Sequence, residues 1–201
     1  MNEYVRIHQI LDYGSKKDKI SVLESLSQSS DQETINKIIS KLDDSEIQVR
    51  GEAFSSLFLN KNDISEFLID ALSSESKNIK GFSALVLANR CDSNAVSVIE
   101  LLTKDSSSMV RSCALGALGH LHSSQSITII RKCFQDKVLE VRKSAAQAFL
   151  KIGGDILPME IDELAKDADD ELKFLITKVS KNMWWTGRDL NPWPHPCHGR
   201  I

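Results

Sequence analysis

The segments SSMVRSCALGAL (residues 107–118) and LEVRKSAAQAFL (residues 139–150) decide how the chain folds. Each sets an aliphatic–basic pair, Val110-Arg111 and Val141-Arg142, ahead of an apolar helical pattern, and the two arginines stand 31 positions apart. The same arrangement occurs in SEIQVRGEAFSSL (residues 45–57) with Arg50 and in SKNIKGFSALVL (residues 76–87) with Lys80. One further step outward reaches Lys173 in DDELKFLITKV and Lys19 in KKDKISVLESL, so six frames with a step of 30 or 31 residues cover almost everything up to residue 183. A fixed period in this range marks an array of stacked supersecondary units.

The apolar residues keep the same register. Twelve positions before each basic residue stand Ile7, Ile38, Leu68, Ile99, Ile130 and Ile161, inside segments with helical periodicity such as TINKIISKL and ISEFLIDAL. They predict the buried stripe of a first helix. Three positions after the basic residue come Val22, Ala53, Ser83, Ala114, Ala145 and Ile176, and seven after it Leu26, Leu57, Leu87, Leu118, Phe149 and Ser180. A second helix with small residues at close approaches and large ones filling the layer accounts for this alternation. One such hairpin cannot bury its own apolar face, so stability has to come from stacking on neighbours. The end frames deviate: Tyr13 replaces the turn residue of the first, and polar Thr177 and Ser180 occupy core positions of the last. Gly153-Gly154 reads as a helix stop and Pro158 as a helix-start proline.

Six positions before the basic residues stand Asp44, Ser74, Asp105, Asp136 and Asp167, whose oxygens suit the free N–H groups of a following helix start. A turn Asp followed six positions later by a base after an aliphatic, as in Asp44 with Val49-Arg50, Asp105 with Val110-Arg111 and Asp136 with Val141-Arg142, resembles the short HEAT-like repeats of the phycobilin-lyase type, which are widespread in prokaryotes. The resemblance covers most of the chain. It implies an all-α, right-handed α-solenoid of about six HEAT-like helical hairpins, an armadillo-like architecture, over residues 1–183. Architecture of this kind serves scaffolds, adaptors, lyases and a few enzymes, so it specifies fold far better than function.

Bulk properties narrow the function classes. A hydrophobic fraction of 41% and a charged fraction of 26% describe a folded chain. No run approaches the ~20 apolar residues of a membrane span and MNEYVRIHQI lacks a secretion-signal pattern, so the expected location is the cytoplasm. The formal charge is −3, and the segment from Trp184 contributes +1 of it through Arg188, Arg200 and Asp189, leaving the helical body more acidic still. No broad cationic field for a phosphate backbone follows, which places nucleic acid behind protein as a partner. Cys91, Cys113, Cys133 and Cys197 form no CxxC pair and read as reduced thiols.

Structural roles account for most of the residues that could carry chemistry. Deoxyhypusine hydroxylase, a HEAT-like di-iron enzyme, needs His-Glu pairs that this chain lacks; HEAT-like DNA glycosylases need a strongly basic, aromatic groove, and the body has no Trp. His120 and His122 in GHLHSS point to different faces of a helix with no third ligand nearby, so no metal or cofactor is expected. The recurring charges Asp44, Arg50, Asp105, Arg111, Asp136 and Arg142 read as an internal structural ladder, with each base paired to a turn Asp of its own or the adjacent hairpin. For partner binding the resemblance points to the second helices, which line the concave face of such solenoids. Outward positions there include Glu24, Leu59, Asn89, His120, Gln147 and Lys151, and their mixed character suits a protein or peptide. No catalytic constellation stands out. The reading is a non-catalytic adaptor or scaffold; the alternative is an accessory, lyase-like factor in modification of another protein, with nucleic-acid binding third and self-association open.

Residues 184–201, WWTGRDLNPWPHPCHGRI, hold all three Trp and three of the four Pro and keep no helical period. A docking peptide and a His195, Cys197, His198 metal site are two readings of this stretch. A third fits its coding potential: Asp189-Leu190-Asn191-Pro192 can be encoded by GATTTGAACCC, whose complement GGGTTCAAATC matches the T-arm of transfer RNA genes. Read-through antisense into such a gene predicts a tRNA gene on the opposite strand downstream of the Met183 codon. The genomic sequence checks this, and its absence there rejects the idea.

Overall fold

A frame that places branched aliphatics on one stripe, then an Asp turn, then a small-residue stripe has to fold as two short helices. The computed structural model, which describes residues 3–154 and 156–182, shows this in every frame. Among the described residues there are twelve α-helices and no strand: α1 (Glu3–Tyr13), α2 (Lys16–Ser25), α3 (Gln32–Ser40), α4 (Ile47–Leu59), α5 (Ser65–Ala71), α6 (Lys77–Asn89), α7 (Val96–Leu102), α8 (Ser108–His120), α9 (Ile127–Lys132), α10 (Leu139–Ile152), α11 (Pro158–Ala165) and α12 (Asp170–Asn182). None is long and apolar enough to cross a membrane. Two compact units divide the chain, residues 1–87 and 88–201, and the division falls within α6.

In the first unit the core consists of Leu11, Leu23, Ile35, Ile38, Leu42, Val49, Ala53, Leu57 and Leu68, all fully buried. Full burial of a Leu or Ile side chain contributes roughly 1.5–3 kcal/mol. Helix starts are fixed by side chains: Ser15 Oγ accepts the Asp18 N–H, and Asp31 accepts those of Glu33 and Thr34. A single 3₁₀ turn at Lys41–Asp43 ends the first helix of the second frame and drives Leu42 into the core. Between α2 and α4, Ser56 Oγ donates to the Leu23 carbonyl at 2.9 Å, and Asn60 Nδ2 donates to Ser29 O at 2.7 Å.

The second unit repeats the plan. Ile99, Val110, Ala114, Leu118, Ile130, Val141, Ala145, Phe149, Leu164 and Leu172 are buried. Phe134, carried inward by the 3₁₀ turn Cys133–Gln135, meets Phe149 edge-on at 5.4 Å between centroids. Gly153 ends α10 at φ +77°, a backbone region that side chains disfavour, and Pro158 opens α11.

The inner frames bury the positions that the period marks, while the end frames half-expose theirs: Ile7, Val22 and Leu26 at one end, Ile161 and Ile176 at the other. Two expectations for the last frame need correction. Asp167 lies exposed at φ +52° and caps nothing; Asp169 instead accepts the Leu172 N–H at 2.9 Å, because the turn before α12 takes a left-handed step at residue 167 although the helix starts in register. Thr177 is exposed, with its hydroxyl donating to the Lys173 carbonyl, and Leu172, Leu175 and Val179 supply the buried stripe of α12.

Candidate functional site

Each turn residue of the inner frames starts a second helix in the same way. The N–H two residues on is accepted by Asp44 Oδ1 at 3.0 Å, Ser74 Oγ at 3.2 Å, Asp105 Oδ1 at 2.8 Å and Asp136 Oδ1 at 2.9 Å. At Asp44 this leaves Oδ2 and the turn carbonyl for cations; at Asp136 the capping oxygen Oδ1 accepts from a cation as well. Arg50 Nη1 donates to its own turn carbonyl, Asp44 O, at 2.7 Å; Arg111 Nη1 does so to Asp105 O at 3.0 Å and Arg142 Nη1 to Asp136 O at 2.9 Å. Carboxylates pair with the base one frame earlier: Lys19 Nζ lies 2.8 Å from Asp44 Oδ2, and Arg111 grips Asp136 with Nε at 2.7 Å and Nη2 at 2.8 Å. A bidentate fork of this kind combines charge with fixed geometry. Burial pushes Asp44 and Asp136 up, but their hydrogen bonds to Lys19 and Arg111, the turn N–H groups and the nearby positive charges outweigh it and hold both below the usual carboxylate range.

The last frame solves the same problem differently. Arg142 Nη2 donates to the Lys166 carbonyl at 2.6 Å, and Lys173 is exposed. The carboxylates collect around Lys143, whose Nζ lies 2.6 Å from Asp169, 2.8 Å from Glu171 and 3.1 Å from Glu140. Hydrogen bonds to Asp169 and Glu171 raise the ammonium above its ordinary range against the cost of burial. Sequence reasoning missed Lys143 because it lies one position past the repeating base.

The second helices of the first unit carry an open groove of about 400 Å³ between α4 and α6, lined by Ile47, Arg50, Gly51, Phe54, Phe82 and Leu85. Positions 47, 50, 51 and 54 fall on one strip of α4, and 82 and 85 on one strip of α6, by the i, i+3, i+4 rule. Ile47 is 67% exposed. Of this lining only Leu85 shares the outward register of Glu24 and Gln147, five positions past the base; the signal that finds the rest is apolar residues on the outward strip, at −3 and +4 from Arg50 and +2 from Lys80. On the α2 side of α4 stand two carboxylates. Burial and the neighbouring Glu24 push Glu52 above its ordinary range, against a hydrogen bond with Ser56.

In the second unit a cleft of about 410 Å³ is lined by Arg131, Lys132, Phe134, Met159 and Glu160 among others. Two of its charges answer each other: Arg131 Nη1 donates to both Glu160 oxygens at 2.6 Å, and its guanidinium stacks over Phe149 at 5.1 Å.

The positions read from sequence as partner contacts are distributed over both units. Glu24, Leu59, Gln147 and Lys151 are exposed, and Asn89 and His120 are half-buried. His120 ends α8, and His122 lies beyond it at φ +49°. Among the described residues no group of three or more His, Cys, Asp or Glu is placed to hold a metal ion. Cys113 and Cys133 are free thiols that burial pushes up to about 11. The docking-peptide and metal readings of residues 184–201 lie outside the described residues.

Paired helices repeated at 31 residues with capped Asp turns define an α-helical repeat protein. Residues 65–151 match the family model of HEAT repeats. No curated protein matches the sequence significantly. Among solved structures, an engineered protein at 17% identity covers 92% of this chain and 97% of its own, with a TM-score of 0.52. A second engineered protein at 16% identity covers 91% and 99%, with a TM-score of 0.54. A designed armadillo repeat protein in complex with the peptide (KR)4 has 18% identity, covers 90% and 99%, and has a TM-score of 0.51. These likenesses are likenesses of fold.

Proposed function

We propose that the protein is a non-catalytic protein-binding module, an adaptor or scaffold, whose partner sits on the face formed by the second helices. The observation that carries this is the groove between α4 and α6. It leaves Ile47 and Phe54 of α4 and Phe82 of α6 incompletely buried along one groove, in a chain that commits Arg111, Asp136, Lys19 and Asp44 to internal pairing. An apolar patch with a polar rim is the composition of a protein interface, and a designed repeat protein of similar fold is in complex with a peptide. In this reading Glu24 and Leu59 on the first unit, and Asn89, His120, Gln147 and Lys151 on the second, are polar and mixed positions that tune specificity, each on its own unit.

Affinity capture tests it, using the full chain, its Ile47→Glu variant, and a variant changed together at Glu24, Leu59, Asn89, His120 and Lys151. Ile47 is exposed, so a charge there leaves the fold intact by circular dichroism. The expected result is a protein retained by the native chain and lost from Ile47→Glu. A partner that ignores both variants removes the second-helix face from the reading.

A further inference from the structure

The groove between α4 and α6 and the carboxylate pair between α2 and α4 lie on opposite flanks of one helix. Successive helical residues are about 100° apart, so Gly51 and Phe54 border α6 while Glu52 turns toward α2. Two facts agree: Glu52 senses Glu24 of α2, and Ser56, one turn further on, bonds the Leu23 carbonyl of α2. Two acids of this unit, Asp44 with Lys19 and Asp12 with Lys37 and Lys41, are neutralised by cations. Among the described residues Glu24 and Glu52 have none. The apolar flank carries the opposite sign at its edge, in Arg50, whose Nη1 bonds Asp44 O and Ser45 O. A cationic side chain is therefore repelled from the α4–α6 groove and attracted to the α2–α4 side, which orders the two halves of any ligand.

We propose that the α2–α4–α6 face of the first unit takes an extended segment of a partner protein that carries an apolar anchor and, three residues away, a lysine or arginine. This rests on the protein-binding reading above and adds the chemistry of the partner. The spacing follows from geometry. Adjacent packed helices are about 8–10 Å apart, so neighbouring inter-helix grooves are separated by the same distance, and an extended chain covers it in about three residues at ~3.3 Å each. The anchor fills the groove beside Phe54 and Phe82, and the cation neutralises the repulsion between Glu24 and Glu52. Desolvating that pair without a counter-charge is costly, which selects against apolar segments lacking the base.

The probe is a fluorescein-labelled peptide in which leucine and arginine alternate at every third position, separated by serines. It is titrated into the full chain and followed by anisotropy. Saturable binding on the order of micromolar is expected. Gly51→Gln should weaken it at least about tenfold by filling the groove; a Cβ at this position meets nothing within 4 Å, so the variant folds. Glu24→Lys with Glu52→Lys should weaken it by a similar factor, and added salt should weaken the native complex but not the complex of this variant. No saturable binding overturns the proposal, as does equal affinity for a peptide with glutamate in place of arginine. Self-association that Gly51→Gln abolishes overturns it in favour of a second copy in the groove. A tenfold gain in peptide affinity when Trp184, Trp185 and Trp193 are changed to serine overturns it in favour of the chain's own tail. If Ile47→Glu releases a captured protein while the peptide fails to bind, the binding face stands and only the partner's chemistry falls.

Discussion

Replacing Arg111 with alanine is expected to lower the melting temperature by roughly 10 °C. The guanidinium is 9% exposed and its partner Asp136 12%, so both charges are largely removed from water. The substitution deletes two bonds to the carboxylate and two to the carbonyls of Asp105 and Ser106, and leaves Asp136 with the Val138 N–H. Breaking a buried pair from one side costs about 3–5 kcal/mol, mostly for the stranded charge, and 1 kcal/mol corresponds to about 2–4 °C in a chain of this size. Asp136→Ala added to Arg111→Ala should recover part of the loss, because the double variant strands no charge. Lys173→Ala is the control: its ammonium is exposed and its effect should stay within about 0.5 kcal/mol. Thermal unfolding of the three variants decides the matter, and an Arg111→Ala transition within about 2 °C of the native one contradicts the pairing's role in stability.

The same pair gives stability a definite pH dependence. Asp136 and Asp44 are held below their ordinary range in the folded state, so what they contribute is present above the unfolded value near ~3.9 and lost as pH falls through the folded value. In Arg111→Ala the sign reverses for Asp136. With its largest lowering influence gone, burial dominates and favours the protonated acid, which relieves the stranded charge. The gap in melting temperature between native and variant should therefore shrink steadily from pH 7 toward pH 3. A gap independent of pH would mean that packing of the arginine stem, and not its charge, sets the loss.

The repeat was legible in sequence because period and polarity reinforce each other: Ile38, Leu68, Ile99 and Ile130 are buried in the register that the basic residues set. Counting fails where a turn changes conformation although α12 itself starts in register. Asp167 sits at φ +52° and Asp169 takes over the cap, so counting from Arg142 singles out Lys173 while the acids gather on Lys143. The groove is hidden for a different reason. The outward positions at +5 and +9 from each base fall in the middle and later turns of the second helix, whereas Ile47 and Gly51 lie near its start and Phe54 on its flank. A residue half-buried beside an open groove has the same sequence signature as one half-buried in a core. Only the distance between neighbouring helices separates the two, and no single sequence states it.

Helix spacing is also what the second large effect measures. Gly119→Ala is expected to destabilise by about 1–2 kcal/mol, while the same change at Gly51 stabilises by about 0.5–1 kcal/mol. Both glycines lie inside helices, α8 and α4, where alanine is intrinsically favoured by up to about 1 kcal/mol. At Gly51 nothing opposes that preference, since a Cβ there has open space. At Gly119 a Cβ would come within 2.7 Å of Ala148 Cα and 3.0 Å of its Cβ in α10. Because the nearest atom is backbone, no rotamer change relieves the clash and α8 and α10 have to move apart. Two tests follow. Gly119→Val should cost more than Gly119→Ala, as the volume to be accommodated grows. Ala148→Gly should rescue Gly119→Ala only weakly, since the clash with the backbone of residue 148 survives; full rescue would place the strain in side chains. A Gly119→Ala protein as stable as the native one would mean that α8 and α10 separate freely. In the same register stand Ser27, Phe58, Ala88 and Leu150, so the repeat does not require glycine at this position. Stability of the second unit should accordingly respond to Gly119 far more sharply than the first unit responds to Gly51.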